Sequence, residues 1–152
     1  MCGEEKKMRE VIYQAVIPLD PKTKKNSLVI KYRKAGINGV YKRVGNALKY
    51  LGIPFISQSD IYKEYARECG YFLKGRKEPI AERVNVRCIF YRETKRRVDL
   101  PNLTNAICDI LVDQGILADD NAQIVVSMDG SRVYYDKENP RTEIFIERSE
   151  DD

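Results

Sequence analysis

Histidine is absent from all 152 residues of this chain. With it go the commonest general base, the commonest zinc ligand and every Ser-His-Asp or Cys-His arrangement. Catalysis, if there is any, has to rest on carboxylates, lysines, tyrosines or a bound metal. Cysteine is scarce: Cys2, Cys69, Cys88 and Cys108 are widely spaced with no C-x-x-C pair. Three fall on apolar faces of expected elements and read as buried thiols of a reducing cytosol. The N-terminus is charged and lacks an apolar signal region, and no run reaches the ~20 apolar residues of a membrane helix. These absences lead us to expect a soluble, cytoplasmic protein.

What is present is enough for one core. A chain of this length that is 43% hydrophobic is expected to form a single domain over 1–152, with 1–9 and 149–152 as flexible tails. The 27 basic and 23 acidic residues leave a net charge of only +4, but their distribution is uneven. Cations gather in "KTKK" (22–25), "KYRK" (31–34), "KGRK" (74–77) and "KRR" (95–97), whereas acids gather between Asp99 and Asp120 and in the tail "ERSEDD". Separated patches of this kind draw a polyanion to the edge of an acidic site; taken singly, each is as readily solvated surface.

Periodicity orders the elements. "VIYQAVI" (11–17) is a strand stopped by Pro18, followed by a basic loop. Within 27–57, "SLVIKYR" reads as a strand, "AGINGV" as a turn and "GNALKYLGIPF" as a short helix ended by Gly52 and Pro54. Ser59 caps a helix over "DIYKEYARECGYFLK" with Ile61, Tyr65, Cys69 and Phe72 as its apolar stripe. "RVNVRCIFY" (83–91) alternates as a half-buried strand, with Asn85 and Arg87 on the polar side. A helix over about 102–114 is closed by Gly115; Leu103, Ile107, Ile110 and Leu111 face the core, and Asn102, Asn105, Asp109 and Asp113 share the opposite face. "AQIVVSM" and "RTEIFIE" are two further strands joined through "DGSRVYYDKENP". The expected class is α+β, a sandwich of a mixed β-sheet with helices packed on one face.

Asp99 ends the basic connection, Asp109 lies on the helix, and Asp119 and Asp120 precede the next strand. If that strand lies beside 83–91, the acids are expected to meet at one sheet edge. Oxygen ligands without histidine or thiolate suit Mg²⁺, or Mn²⁺. The plainer reading stays open: Asp119–Asp120 as a turn, Asp113 as a solvated helix residue and Asp99 as a helix cap. Tyr91, Tyr134 and Tyr135 read as half-buried core tyrosines or as platforms for unpaired bases.

The order D-L-x-N-L (Asp99, Leu100, Asn102, Leu103), A-x-x-D-x-L (Ala106, Asp109, Leu111) and G-x-x-x-D-D-x-x-Q-I (Gly115, Asp119, Asp120, Gln123, Ile124) resembles the RusA family of Holliday-junction resolvases. "IPLDPKTKKNS", "FISQSDIYKEYAR" and "NPRTEIFIE" are similar to other parts of that family. The resemblance implies a homodimeric, Mg²⁺-dependent endonuclease of recombination and repair, often carried by phages and prophages, that cuts four-way DNA junctions by paired nicks. It implies Asp99 and Asp120 as metal ligands, Asp119 as a ligand or the support of one, and Lys95, Arg96 and Arg97, with Lys24 and Lys25, as DNA contacts. The chain departs from the family at Pro101, where D-x-D-N has a second aspartate, and at Asn105, where a lysine is common. Asp109 and Asn102 are then the candidate replacement ligands. The rival expectation is a dimer that binds branched DNA but has lost cleavage.

Overall fold

The computed structural model describes residues 8–24, 28–34, 36 and 38–149, with only the backbone of Leu28 and Gln58. Cys2, Lys25 and most of both expected tails lie outside the described residues. Of the described tail residues, Met8 is exposed, Arg9 pairs with Asp129 at 2.8 Å, and the Ser149 amide donates to the Arg83 carbonyl at 3.0 Å.

The fold is α+β. Strands β1 (Val11–Ile17), β8 (Arg141–Arg148) and β5 (Val84–Arg92) form an antiparallel run. The free edge of β5 takes two short parallel strands, β6 (Val125–Ser127) at its start and β7 (Arg132–Tyr135) at its end. The long connection between the last two expected strands thus contains a strand of its own. Helices α1 (Asp60–Tyr71) and α2 (Leu100–Asp113) cover one face of this sheet. There Ile17, Val86, Cys88, Phe90, Ile144 and Ile146 pack in one cluster with Tyr65, Cys69, Ile107 and Leu111. No helix among the described residues is long and apolar enough to cross a membrane.

The helices form for the expected reasons, with one shift of phase. Ser59 Oγ accepts the Tyr62 amide at 3.2 Å, which caps α1. Its buried stripe is Tyr62, Tyr65 and Cys69, whereas the expected Ile61 is 71% exposed and Phe72 lies outside. Bulky aromatics at 62 and 65 have claimed the core side, turning the helix by about one residue. Gly115, at φ +72°, ends α2 where a left-handed residue is needed.

The expected helix at 45–55 is a strand. Gly45, at φ +61°, turns β3 (Val40–Val44) directly into β4 (Ala47–Gln58), and β2 (Leu28–Arg33) pairs along the far half of β4. Gly52 and Pro54 lie inside β4. These three strands make a second sheet, hydrogen-bonded to none of the strands of the first. Asn85, expected on the solvent side of β5, is fully buried. Its amide donates to the Glu147 carboxylate at 2.9 Å and the Asp129 carbonyl at 3.1 Å, and its oxygen accepts from Ser127 Oγ at 2.6 Å and the Asp129 amide at 2.7 Å. A carboxamide with two donors and two acceptor positions is thereby satisfied, and β5, β6 and β8 are pinned together.

Candidate active site

The parallel pairing of β5 and β6 decides where the acids go. Val84 stands opposite Val125, so starts lie beside starts. Asp119 and Asp120 are therefore at the beginning of β5, whereas Asp99 follows its end. Helix α2 returns between the two: at about 1.5 Å per residue, Asp109 is ~15 Å along the axis from Asp99. The expected meeting of Asp99 with Asp120 does not take place within one chain, and no group of three metal-capable side chains forms among the described residues. Asp99 occupies the N-cap of α2 without a side-chain capping bond. Asn102, the other candidate replacement ligand, stays beside Asp99, its amide donating to Asp99 Oδ2 at 3.4 Å.

What the fold does bring together is Asp109 and Asp120. Partial burial, repulsion from Asp109 and hydrogen bonding of the protonated form to Asp109 and Asp119 all raise the Asp120 carboxyl above its ordinary range. Asp119 supports this geometry. One of its oxygens accepts the Asp120 amide at 2.7 Å and the other the Asn121 amide group at 2.9 Å, so the loop before β6 is wound around it.

Two residues from other elements complete the site. Lys24, from the loop after β1, forms an ion pair with Asp109. Its ammonium also lies 6.0 Å from the centre of the Tyr62 ring. The Tyr62 hydroxyl is buried with no hydrogen-bond partner among the described residues, and Asp109 and Asp113 add to burial in opposing its ionisation. Sequence reasoning named Lys24 only as a DNA contact and missed Tyr62. The i, i+3 spacing of Tyr62 and Tyr65 on α1 was the one available signal.

Paired carboxylates with a nearby hydroxyl are a hard-oxygen donor set. Mg²⁺ is commonly held by one or two protein carboxylates, with water and substrate phosphate filling the other positions. Asp109 and Asp120 fit that pattern.

The other cationic residues lie past the end of β5 and reach this site through one loop. The Glu93 amide donates to Asp20 Oδ1 at 2.9 Å, fastening the loop of Lys22 and Lys24 to the connection that carries Lys95, Arg96 and Arg97. Lys22, Arg92, Arg96 and Arg97 line one hollow between them. A second hollow, on the other side of the connection, adds Lys95, Tyr134 and Tyr135. Lys95 lies 4.9 Å above the Tyr135 ring, Tyr91 stacks on Tyr134 at 5.4 Å, and Arg141 covers Tyr91 at 3.6 Å. Tyr134 and Tyr135 are thus surface residues, 45% and 47% exposed, rather than members of the core.

No curated protein matches the chain. The family model described as endodeoxyribonuclease RusA matches residues 40–147, from β3 almost to the end of β8 and including both helices and Asp99, Asp109, Asp119 and Asp120. The chain belongs to the RusA endodeoxyribonuclease family.

Proposed function

We propose that this protein is a metal-dependent endonuclease that acts as a homodimer and resolves four-way DNA junctions by paired nicks. The observation that carries the reading is the carboxylate pair Asp109–Asp120, linked through the Lys24 loop to the cationic hollows around Arg92 to Arg97. Asp109 and Asp120 would hold Mg²⁺, with Mn²⁺ as a substitute. Bound there, the ion supplies an activated water and stabilises charge that develops on the phosphodiester. Asp119 orients Asp120 through the loop, and Lys24 neutralises Asp109 when the ion is absent. Lys95, Arg96 and Arg97 hold backbone phosphates and bring the strand across the mouth of the site. The flanking Tyr134 and Tyr135 offer rings to bases opened at the junction centre.

Asp99 enters this scheme through symmetry. Because α2 separates it from Asp120 by most of the helix length, it reaches a metal only if two chains pair with one copy's Asp99 beside the other's Asp120. A two-fold axis would build that arrangement twice, giving two sites for two nicks.

A second reading is a dimer that binds junctions without cutting them: the resemblance puts Pro101 and Asn105 where the family has an aspartate and a lysine, and no group of three metal-capable side chains forms among the described residues. The deciding experiment is cleavage of a synthetic four-way junction beside linear duplex of the same sequence, with Mg²⁺, Mn²⁺ or EDTA. Paired nicks in the junction alone, abolished by EDTA and by Asp120→Asn, are expected. Tight junction binding without nicks under either metal would establish the binding module instead.

A further inference from the structure

The second sheet is built against ordinary electrostatic practice. From residue 28 to residue 58 the sequence has six cations (Lys31, Arg33, Lys34, Lys42, Arg43 and Lys49) and no acid at all. Two of them, Lys42 and Lys49, stand directly opposite one another across β3 and β4. Like charges in a cross-strand pair repel at a Cβ separation of about 5 Å. Lys31 alone of the six forms an ion pair among the described residues, to Asp60 at 2.8 Å. Every residue of β3 is exposed. On the opposite face, Tyr41 and Tyr50 pair across the same strands with ring centres 5.1 Å apart, and Tyr41 is half exposed.

The sheet is nevertheless anchored toward the carboxylate site. Lys31 bonds Asp60 at the first turn of α1, and Lys63 donates to Ser57 at 3.2 Å. That same first turn presents Tyr62 beside Lys24 and Asp109. An uncompensated lysine pair on an exposed sheet, fixed to the helix that borders the acids, matches a polyphosphate backbone in charge. A second copy of the same face does not match, since one lysine pair would meet another with no acid between them.

We infer that the sheet β2–β4–β3 is a DNA clamp: it grips the phosphate backbone of a duplex arm leaving the junction, through the face that presents Lys42 and Lys49. The inference rests on the DNA-directed reading above and extends it to a surface remote from the acids.

The test is fluorescence anisotropy of a labelled four-way junction in EDTA, titrated at several salt concentrations. Each phosphate contact adds about 0.9 to the slope of log affinity against log salt. The variant Lys42→Ala/Lys49→Ala is therefore expected to bind more weakly, with a slope smaller by about 1.8, so that its loss of affinity between about 50 and 200 mM salt is roughly tenfold less than that of the wild type. Lys42→Arg/Lys49→Arg is expected to keep the wild-type slope. An alanine variant with unchanged slope and affinity overturns the clamp, as does an arginine variant that loses the slope along with it. Sedimentation that shows a change of oligomeric state with the slope intact assigns the sheet to contact between copies and likewise overturns it. Should the wild type bind and cut the junction while the alanine variant is indistinguishable from it, only the clamp fails; a wild type that neither binds nor cuts refutes the nuclease reading as well.

Discussion

Asp120 shows how single residues are tuned here. Its carboxyl is raised by burial and by Asp109, so the folded state takes up a proton more readily than the unfolded chain does. The sign follows: the penalty is absent below the ordinary carboxylate range, where both states are protonated, and grows as pH rises through the elevated folded value. Asp120→Asn should therefore have a higher Tm than the metal-free wild type near neutral pH, and the difference should vanish on acidification. Thermal unfolding across a pH series measures this. Mg²⁺ should reverse the order at neutral pH, since only the wild type keeps the full ligand pair. A Tm gap independent of pH would mean that Asp109 does not oppose Asp120. The buried thiols are tuned in the opposite sense to reactive ones. Burial pushes Cys69 up to about 11 and Cys108 up to about 12, and Cys88 is raised well above the ordinary range. They serve as small core residues, as their apolar setting in the sequence indicates.

Among the elements, β5 carries the most responsibility, because it pairs on both edges and its inward side chains meet both helices. Its polar anchor is as consequential as its apolar face. Asn85→Ala would strand the Asp129 amide, the Ser127 hydroxyl and the Glu147 carboxylate, at a cost of roughly 3 kcal/mol. Denaturant unfolding should show the midpoint lowered with the slope unchanged. A loss no larger than that of a surface alanine would show that water replaces these bonds. The network was hidden from the alternating pattern of "RVNVRCIFY" because periodicity reports which side a residue faces, not what covers that side. Helix α2 was the more legible element: its apolar stripe, its Gly115 stop and its acidic face all follow from spacing, and all are present. Misreading 45–55 as a helix has a physical origin too. The apolar spacing of "NALKYLGIPF" suits either period, and only pairing with β2 and β3 decides for the strand.

At the scale of the whole molecule, the separation of Asp99 from Asp120 makes assembly part of the proposed chemistry. Mixed and re-equilibrated Asp99→Asn and Asp120→Asn dimers should recover nicking activity that neither has alone, because a heterodimer would contain one site with both native aspartates. If sites lie wholly within one chain, the mixture stays as inactive as its components. Single-strand nicking of a junction with one labelled strand measures this directly.

The sequence by itself determined the element types outside 27–57 apart from β7, the apolar core of α2 and β5, the identity of the acids and the absence of any histidine chemistry. These are properties of spacing and residue type, carried by local propensity and by the 2.0 and 3.6 periods. Only the tertiary structure decided which acids are neighbours. Parallel registration placed Asp120 at the start of β5, the length of α2 carried Asp109 to it and left Asp99 behind, and a loop about 85 residues earlier in the chain brought Lys24. Such meetings depend on long-range strand pairing, whose register no local pattern contains.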